Sequence, residues 1–150
     1  MSTQTTQAST RPRRETVRDL MTDRVYTLGP QDDLEELLEL MDDHRIRHVP
    51  VVDRDGDLVG LVSQRDLARG ALGPQDALPL SVQQELLRRR KVREIMSTEI
   101  ETVDPDVALD AAAQMMLESK IGCLPVVEGE HLVGILTEAD FVRCYLEKRA

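Results

Sequence analysis

Aromatic side chains are almost missing from this chain of 150 residues, which has two tyrosines, one phenylalanine and no tryptophan. Tyr26, Phe141 and Tyr145 cannot build the stacked platforms that hold single-stranded nucleic acid, so the core has to be aliphatic. Positive charge is short as well: 19 Lys and Arg face 28 Asp and Glu, a net charge of −9. That balance opposes nucleic acid and anionic membrane as partners. No apolar run approaches the ~18 residues that span a bilayer, which predicts a soluble cytoplasmic protein without a membrane segment. Cys123 and Cys144 show no metal-ligand spacing, and the expectation is reduced thiols with no metal site and no disulfide. Residues 1–16 lack the apolar centre of a secretory signal and are read as a disordered tail. A Gly-x-Ser-x-Gly elbow, a Cys/His pair and a metal constellation are all missing, so the reading is not an enzyme.

What the chain does contain, it contains twice. VRDLMTDRVYTLGP (17–30) returns as VREIMSTEIETVDP (92–105), and RIRHVPVVDRDGDLVGLVSQRD (45–66) as KIGCLPVVEGEHLVGILTEAD (120–140), one residue shorter at the turn. Pro50 and Pro125, Gly60 and Gly134, and Asp66 and Asp140 fall at matched positions. The expected organisation is a tail over 1–16, one copy over 17–70, a linker with a short helix over 71–91, and a second copy over 92–147. A half of that size is marginal alone, because it buries too small a fraction of its surface, so the copies are expected to share a core.

The elements follow from periodicity. Leu34, Leu37, Leu38 and Met41 fall at i, i+3, i+4 and i+7 and predict a helix over 32–44; Leu109, Ala112, Ala113 and Met116 repeat it over 107–119. The β-type runs HVPVV (48–52) and LVGLVS (58–63), joined by the turn DRDG, read as a hairpin, as do CLPVV (123–127) and LVGILT (132–137). Ser63 and Thr137 each open a further helix, and a first strand is expected around Val25 and Ile100. In the linker, SVQQELLRRR (81–90) predicts a short helix with Ser81 as cap and Gln84 at the capping-box position.

Chemistry concentrates in GLVSQRD (60–66) and GILTEAD (134–140). The glycine would let a ligand approach the backbone. The hydroxyl of Ser63 or Thr137 stands at a helix start, where exposed N–H groups favour phosphate. Asp66 or Asp140 lies one turn on and can accept both hydroxyls of a ribose. The pattern also fits a capping box that needs no ligand. Arg45, Arg47, His48 and Arg65 surround the first motif, and Lys120, Gly122, Cys123 and Glu138 the second, so the first has the more basic rim.

Two copies carrying Pro-Val-Val and Gly-x-x-[Ser/Thr]-x-x-Asp resemble a tandem CBS-domain pair, or Bateman module, from Val17 to about Leu146. The resemblance implies an α+β fold of two pseudo-twofold-related β-α-β-β-α CBS repeats packed through their small sheets. It further implies clefts between the repeats that hold adenine nucleotides. Carried over position by position, Asp66 and Asp140 would bind ribose, with Ser63 and Thr137 near phosphate; Arg65, from the basic surroundings of the first motif, is a further candidate for ligand binding. Ile46, Arg47, His48 and Pro50, and Ile121, Gly122, Cys123 and Pro125, would stand near the base. Thr22, Val25 and Tyr26, with Ser97, Ile100 and Glu101, would also line the clefts. The implied protein is a stand-alone, non-catalytic ligand or energy sensor without a required cofactor, binding AMP, ADP or ATP, with S-adenosylmethionine and NADH as further candidates. It would form a homodimer and act on an unidentified regulated protein; the alternative is a ligand-free dimerisation or docking module.

Overall fold

The computed structural model describes residues 15–70 and 79–149. The tail up to residue 14 and the linker loop over 71–78 lie outside the described residues. The chain divides into two compact units. One comprises the N-terminal segment up to Arg24, Glu101–Gly129 and the residues from Val133; the other comprises Val25–Ile100 with Glu130–Leu132. These units are a different division from the two sequence copies, because each copy's opening segment belongs to the unit built on the other copy.

In the unit of Val25–Ile100, helix α2 (Leu34–His44; α1, Val17–Leu20, belongs to the other unit) leads into strands β1 (His48–Val52) and β2 (Leu58–Ser63), then α3 (Gln64–Gly70) and α4 (Leu80–Arg89). Asp33 caps α2 by accepting the Glu36 N–H at 2.9 Å, a cap worth about 1 kcal/mol. Leu34, Leu37 and Met41 are buried, while Leu38 at the edge of the stripe is 37% exposed. β1 and β2 pair antiparallel, His48 opposite Ser63, with an irregularity between Val51 and Val52. Ser81 does not cap α4. The helix begins one residue earlier, after Pro79, whose carbonyl accepts the N–H groups of Val82 and Gln83, so Ser81 already lies inside the first turn.

The other unit repeats the plan with α1 (Val17–Leu20), α5 (Leu109–Ser119), β3 (Cys123–Glu128), β4 (His131–Thr137) and α6 (Glu138–Arg149). Helices α2 and α5 end alike, on Arg45 (φ 54°) and Lys120 (φ 55°) in the left-handed region. That conformation turns the chain sharply into β1 and β3 and is unusual for a residue other than glycine. Glu15 and Thr16, read from sequence as part of the tail, are tied in. Glu15 accepts from the Leu109 N–H at 2.8 Å, and Thr16 accepts the Asp19 N–H through its carbonyl at 3.0 Å.

A first strand around Val25 and Ile100 does not form. Single parallel bridges stand in its place, three residues further on, between Leu28 and Val51 and between Val103 and Val126. Leu28 donates to the Pro50 carbonyl and accepts from Val52 N–H; Val103 does the same with Pro125 and Val127. A parallel ladder would need its next donors from Pro30 and Pro50 in one copy, and from Pro105 and Pro125 in the other. Proline has no N–H, so the ladder stops at one rung on both sides.

The buried side chains form two clusters among the described residues, and each draws on both sequence copies. One holds Leu34, Leu37, Met41, Val49, Val51, Val62, Leu67, Leu87 and Val92. The second holds Val17, Val103, Leu109, Ala112, Met116, Leu124, Val126 and Leu136. Val92 and Val17 come from the exchanged openings, and matching hydrogen bonds fix both exchanges. Val17 and Arg18 donate to the carbonyls of Val107 and Pro105, as Val92 and Arg93 donate to Asp32 and Pro30. Thr22 pairs both ways with Ile135, and Ser97 both ways with Leu61, all at 2.9 Å.

Candidate functional site

Each Gly-x-x-[Ser/Thr]-x-x-Asp motif runs from the middle of a hairpin strand into the helix that follows. Gly60 and Gly134 are buried, and the space beside each is taken by a methionine of the exchanged opening, not left for a ligand. A Cβ on Gly134 would stand 2.6 Å from the Met21 sulfur and 3.1 Å from the Thr22 carbonyl oxygen; on Gly60 it would stand 2.9 Å from Cγ of Met96. Sequence reasoning passed over Met21 and Met96, although they repeat at matched positions.

Ser63 and Asp66 form a reciprocal box. Asp66 Oδ2 accepts from the Ser63 N–H at 2.8 Å and from its hydroxyl at 2.9 Å, while the Asp66 N–H donates to Ser63 Oγ at 3.1 Å. The serine hydroxyl is thereby used as both donor and acceptor. The first N–H of α3, that of Gln64, is taken by the Arg47 carbonyl at 2.8 Å. Every described hydrogen bond to the half-buried Asp66 side chain goes to Oδ2, which leaves Oδ1 without a described donor.

At the second motif the same box recurs and more is added. Asp140 Oδ2 accepts from the Thr137 N–H at 2.8 Å and from its hydroxyl at 3.2 Å. Oδ1 accepts from the Thr22 hydroxyl at 3.3 Å and is ion-paired with the Arg143 guanidinium. The Asp140 side chain is 3% exposed against 60% for that of Arg143. The Glu138 N–H is taken by the Gly122 carbonyl at 3.2 Å, matching Gln64 and Arg47. Arg143 escaped the sequence reading, though its i+3 spacing from Asp140 on one helix face was a signal for the pair.

Of the other residues implicated by sequence, Thr22 reaches Asp140, and Ser97 holds Leu61 through its backbone. Val25 and Ile100 are half-buried and Glu101 exposed. Tyr26 stacks on the His44 imidazole, ring centres 3.7 Å apart. Arg47 and Arg65 are exposed and make no ion pair among the described residues; Ile46, Ile121, Gly122 and His48 are half-buried. Pro50 and Pro125 are buried, so their side chains serve the hairpins. Cys123, opposite His48 in the repeat, is buried; desolvation first, and then the Asp140 charge, push its thiol up to about 12. It is therefore protonated and inert at neutral pH. Among the described residues no group of His, Cys, Asp or Glu could hold a metal ion, and no helix is long and apolar enough to cross a membrane.

A duplicated helix–hairpin–helix plan, with a hydroxyl and a carboxylate at the strand-to-helix junction of each copy, defines a tandem binding-module architecture. The chain belongs to the CBS-domain family, whose family model, described as CBS domain, matches residues 17–73 and 92–147. It is 34% identical over 126 residues to the CBS domain-containing protein YhcV of Bacillus subtilis (strain 168), covering 83% of this chain and 81% of that protein. Among solved structures it is similar to CBSX2 in complex with AMP, at 31% identity and a TM-score of 0.75, covering 91% of this chain and 99% of that one. It is also similar to the CBS domain pair of protein MJ0100 in complex with 5′-methylthioadenosine and S-adenosyl-L-methionine, at 27% identity, a TM-score of 0.75 and the same coverage.

Proposed function

We propose that the chain is a non-catalytic regulatory module that senses an adenine nucleotide of the AMP, ADP or ATP class at the site of Ser63 and Asp66. The observation that carries this reading is the Asp66 carboxylate. It is held in place through Oδ2 and presents Oδ1 without a described partner. A fixed, half-buried carboxylate oxygen suits the vicinal hydroxyls of a ribose, because bonds to a charged acceptor are the stronger kind. Ser63 orients Asp66, while Arg47 and Arg65 supply exposed positive charge for phosphate. The two similar structures with AMP and with S-adenosyl-L-methionine and methylthioadenosine support an adenosine-bearing ligand. Sensing further requires that the ligand bind two arrangements of the protein with different affinity.

Calorimetry with AMP, ADP, ATP, S-adenosylmethionine and NADH tests the reading. Saturable binding that Asp66→Ala weakens is the expected result; no binding by any of the five, or equal binding by the variant, rejects it. Conversion of the nucleotide during incubation would reject the non-catalytic assignment.

A docking or dimerisation role has its own observation. Val142, Tyr145 and Leu146 lie at i, i+3 and i+4 on α6, each at least 57% exposed. Such an apolar stripe fits cover by a second chain, and the homodimer is the expected assembly. A monomer by light scattering at micromolar concentration, with and without AMP, removes it.

A further inference from the structure

We propose that Arg143 is a built-in occupant of the Asp140 site, so that the chain offers one open carboxylate, at Asp66, and keeps the second closed until the arginine is displaced. This rests on the nucleotide reading given above and concerns how many sites of that kind a chain presents.

The two motifs make the same hydrogen bonds to Oδ2 and at the helix start, and differ in what reaches Oδ1 of the aspartate. At Asp140, Oδ2 is taken by the Thr137 N–H and hydroxyl, and Oδ1 by the Thr22 hydroxyl and the Arg143 guanidinium. A ribose hydroxyl arriving there would have to replace a charged donor with a neutral one, and charge-assisted bonds are roughly twice as strong. The exchange is uphill unless something else receives the guanidinium. At Asp66, Arg69 holds the position matching Arg143, yet it makes no hydrogen bond or ion pair to Asp66 among the described residues.

The closure is of a kind that can open. The arginine side chain is 60% exposed, so it can turn into water by giving up its pair with Asp140, whose carboxylate is only 3% exposed while covered. Glu138, at the start of the same helix, adds negative charge on this side. At the matching stretch of the first motif, Arg65 stands next to Asp66 in sequence and adds positive charge instead.

The experiment is calorimetric titration of AMP into the intact chain, its Asp66→Ala, Asp140→Ala and Arg143→Ala variants, and Arg143→Gln, with circular dichroism of each. Arg143→Gln keeps a neutral donor to Asp140 and decides the matter if the alanine variant does not fold. The expected outcomes are one AMP for the parent and for Asp140→Ala, one AMP bound roughly ten- to hundredfold more weakly for Asp66→Ala, and two for a folded Arg143 variant. Two equivalents in the parent, falling to one in Asp140→Ala, overturn the closure. So does a folded Arg143 variant that gains no equivalent. A parent that binds no AMP rejects nucleotide sensing at Asp66, yet an Arg143 variant that then gains one equivalent still supports closure at Asp140.

Discussion

Asp66 is half-buried and held through one oxygen by the serine three residues before it, whereas Asp140 is held through both oxygens and is almost completely covered. The contrast teaches that one motif can serve two ends. In the first copy the capping box fixes a carboxylate and leaves an oxygen for something else. In the second it is part of a closed network that also ties Thr22, and with it the exchanged opening segment, to α6. A capping box at Asp66 therefore does not by itself exclude a ligand on the remaining oxygen.

The largest expected break in this comparison is Asp66→Ala. Loss of bonds from two ribose hydroxyls to a charged acceptor should cost about 1.5–3 kcal/mol of binding, roughly ten- to hundredfold in affinity. Folding should lose no more than the cap, about 1 kcal/mol. Calorimetry and a melting curve on the same variant separate the two effects. Asp140→Ala should behave in the opposite way. Its donors lose their acceptor in a covered place, so stability should fall by about 1–3 kcal/mol while AMP affinity at Asp66 stays unchanged. Urea unfolding beside the same titration would show a shared loss of affinity if the two copies are not distinct in role.

Gly134→Ala and Gly60→Ala sharpen the comparison at the exchanged segments. Forcing a methyl group against a filled space costs about 1–3 kcal/mol. Gly134→Ala should be the worse, because the Thr22 carbonyl at 3.1 Å is backbone and cannot turn aside, whereas at Gly60 the close atoms belong to the Met96 side chain. Equal losses of melting temperature would mean that the methionine alone sets the cost.

The smallest effect at neutral pH concerns Cys123. Its thiol is held up to about 12 in the folded chain, above the ordinary value of 9.0. The neutral form is the one the fold accommodates, so its contribution is complete below about 9. As pH rises from there toward 12, the unfolded chain carries fewer protons and stability falls. Cys123→Ala should flatten that alkaline loss, measured by urea unfolding at stepped pH. At pH 7.5 a thiol reagent should label Cys144, which is partly exposed, and spare Cys123 until the chain unfolds.

Much of this was legible from residues alone, because the controlling interactions are local. The 3.6-residue spacing of Leu34, Leu37 and Met41, and of Leu109, Ala112 and Met116, fixes both helices; the alternating runs and their Gly-bearing turns fix both hairpins; Ser63 and Asp66 meet across three residues of one turn. The absence of the first strand was also readable in principle, since Pro30, Pro50, Pro105 and Pro125 withhold the donors a longer ladder needs. What only the tertiary structure decided is which partner each repeated piece finds. Val17 and Val92, Met21 and Met96, and Thr22 and Ser97 look in sequence like members of their own copies, and each packs in the unit built on the other. Similar copies carry similar patterns, so the pattern alone does not say which hairpin an opening segment joins. The exchange delivers the Thr22 hydroxyl to Asp140, because the backbone of Thr22 pairs with Ile135 on the strand that leads into α6, where Arg143 completes the cover; Asp66 is left with an oxygen to spare.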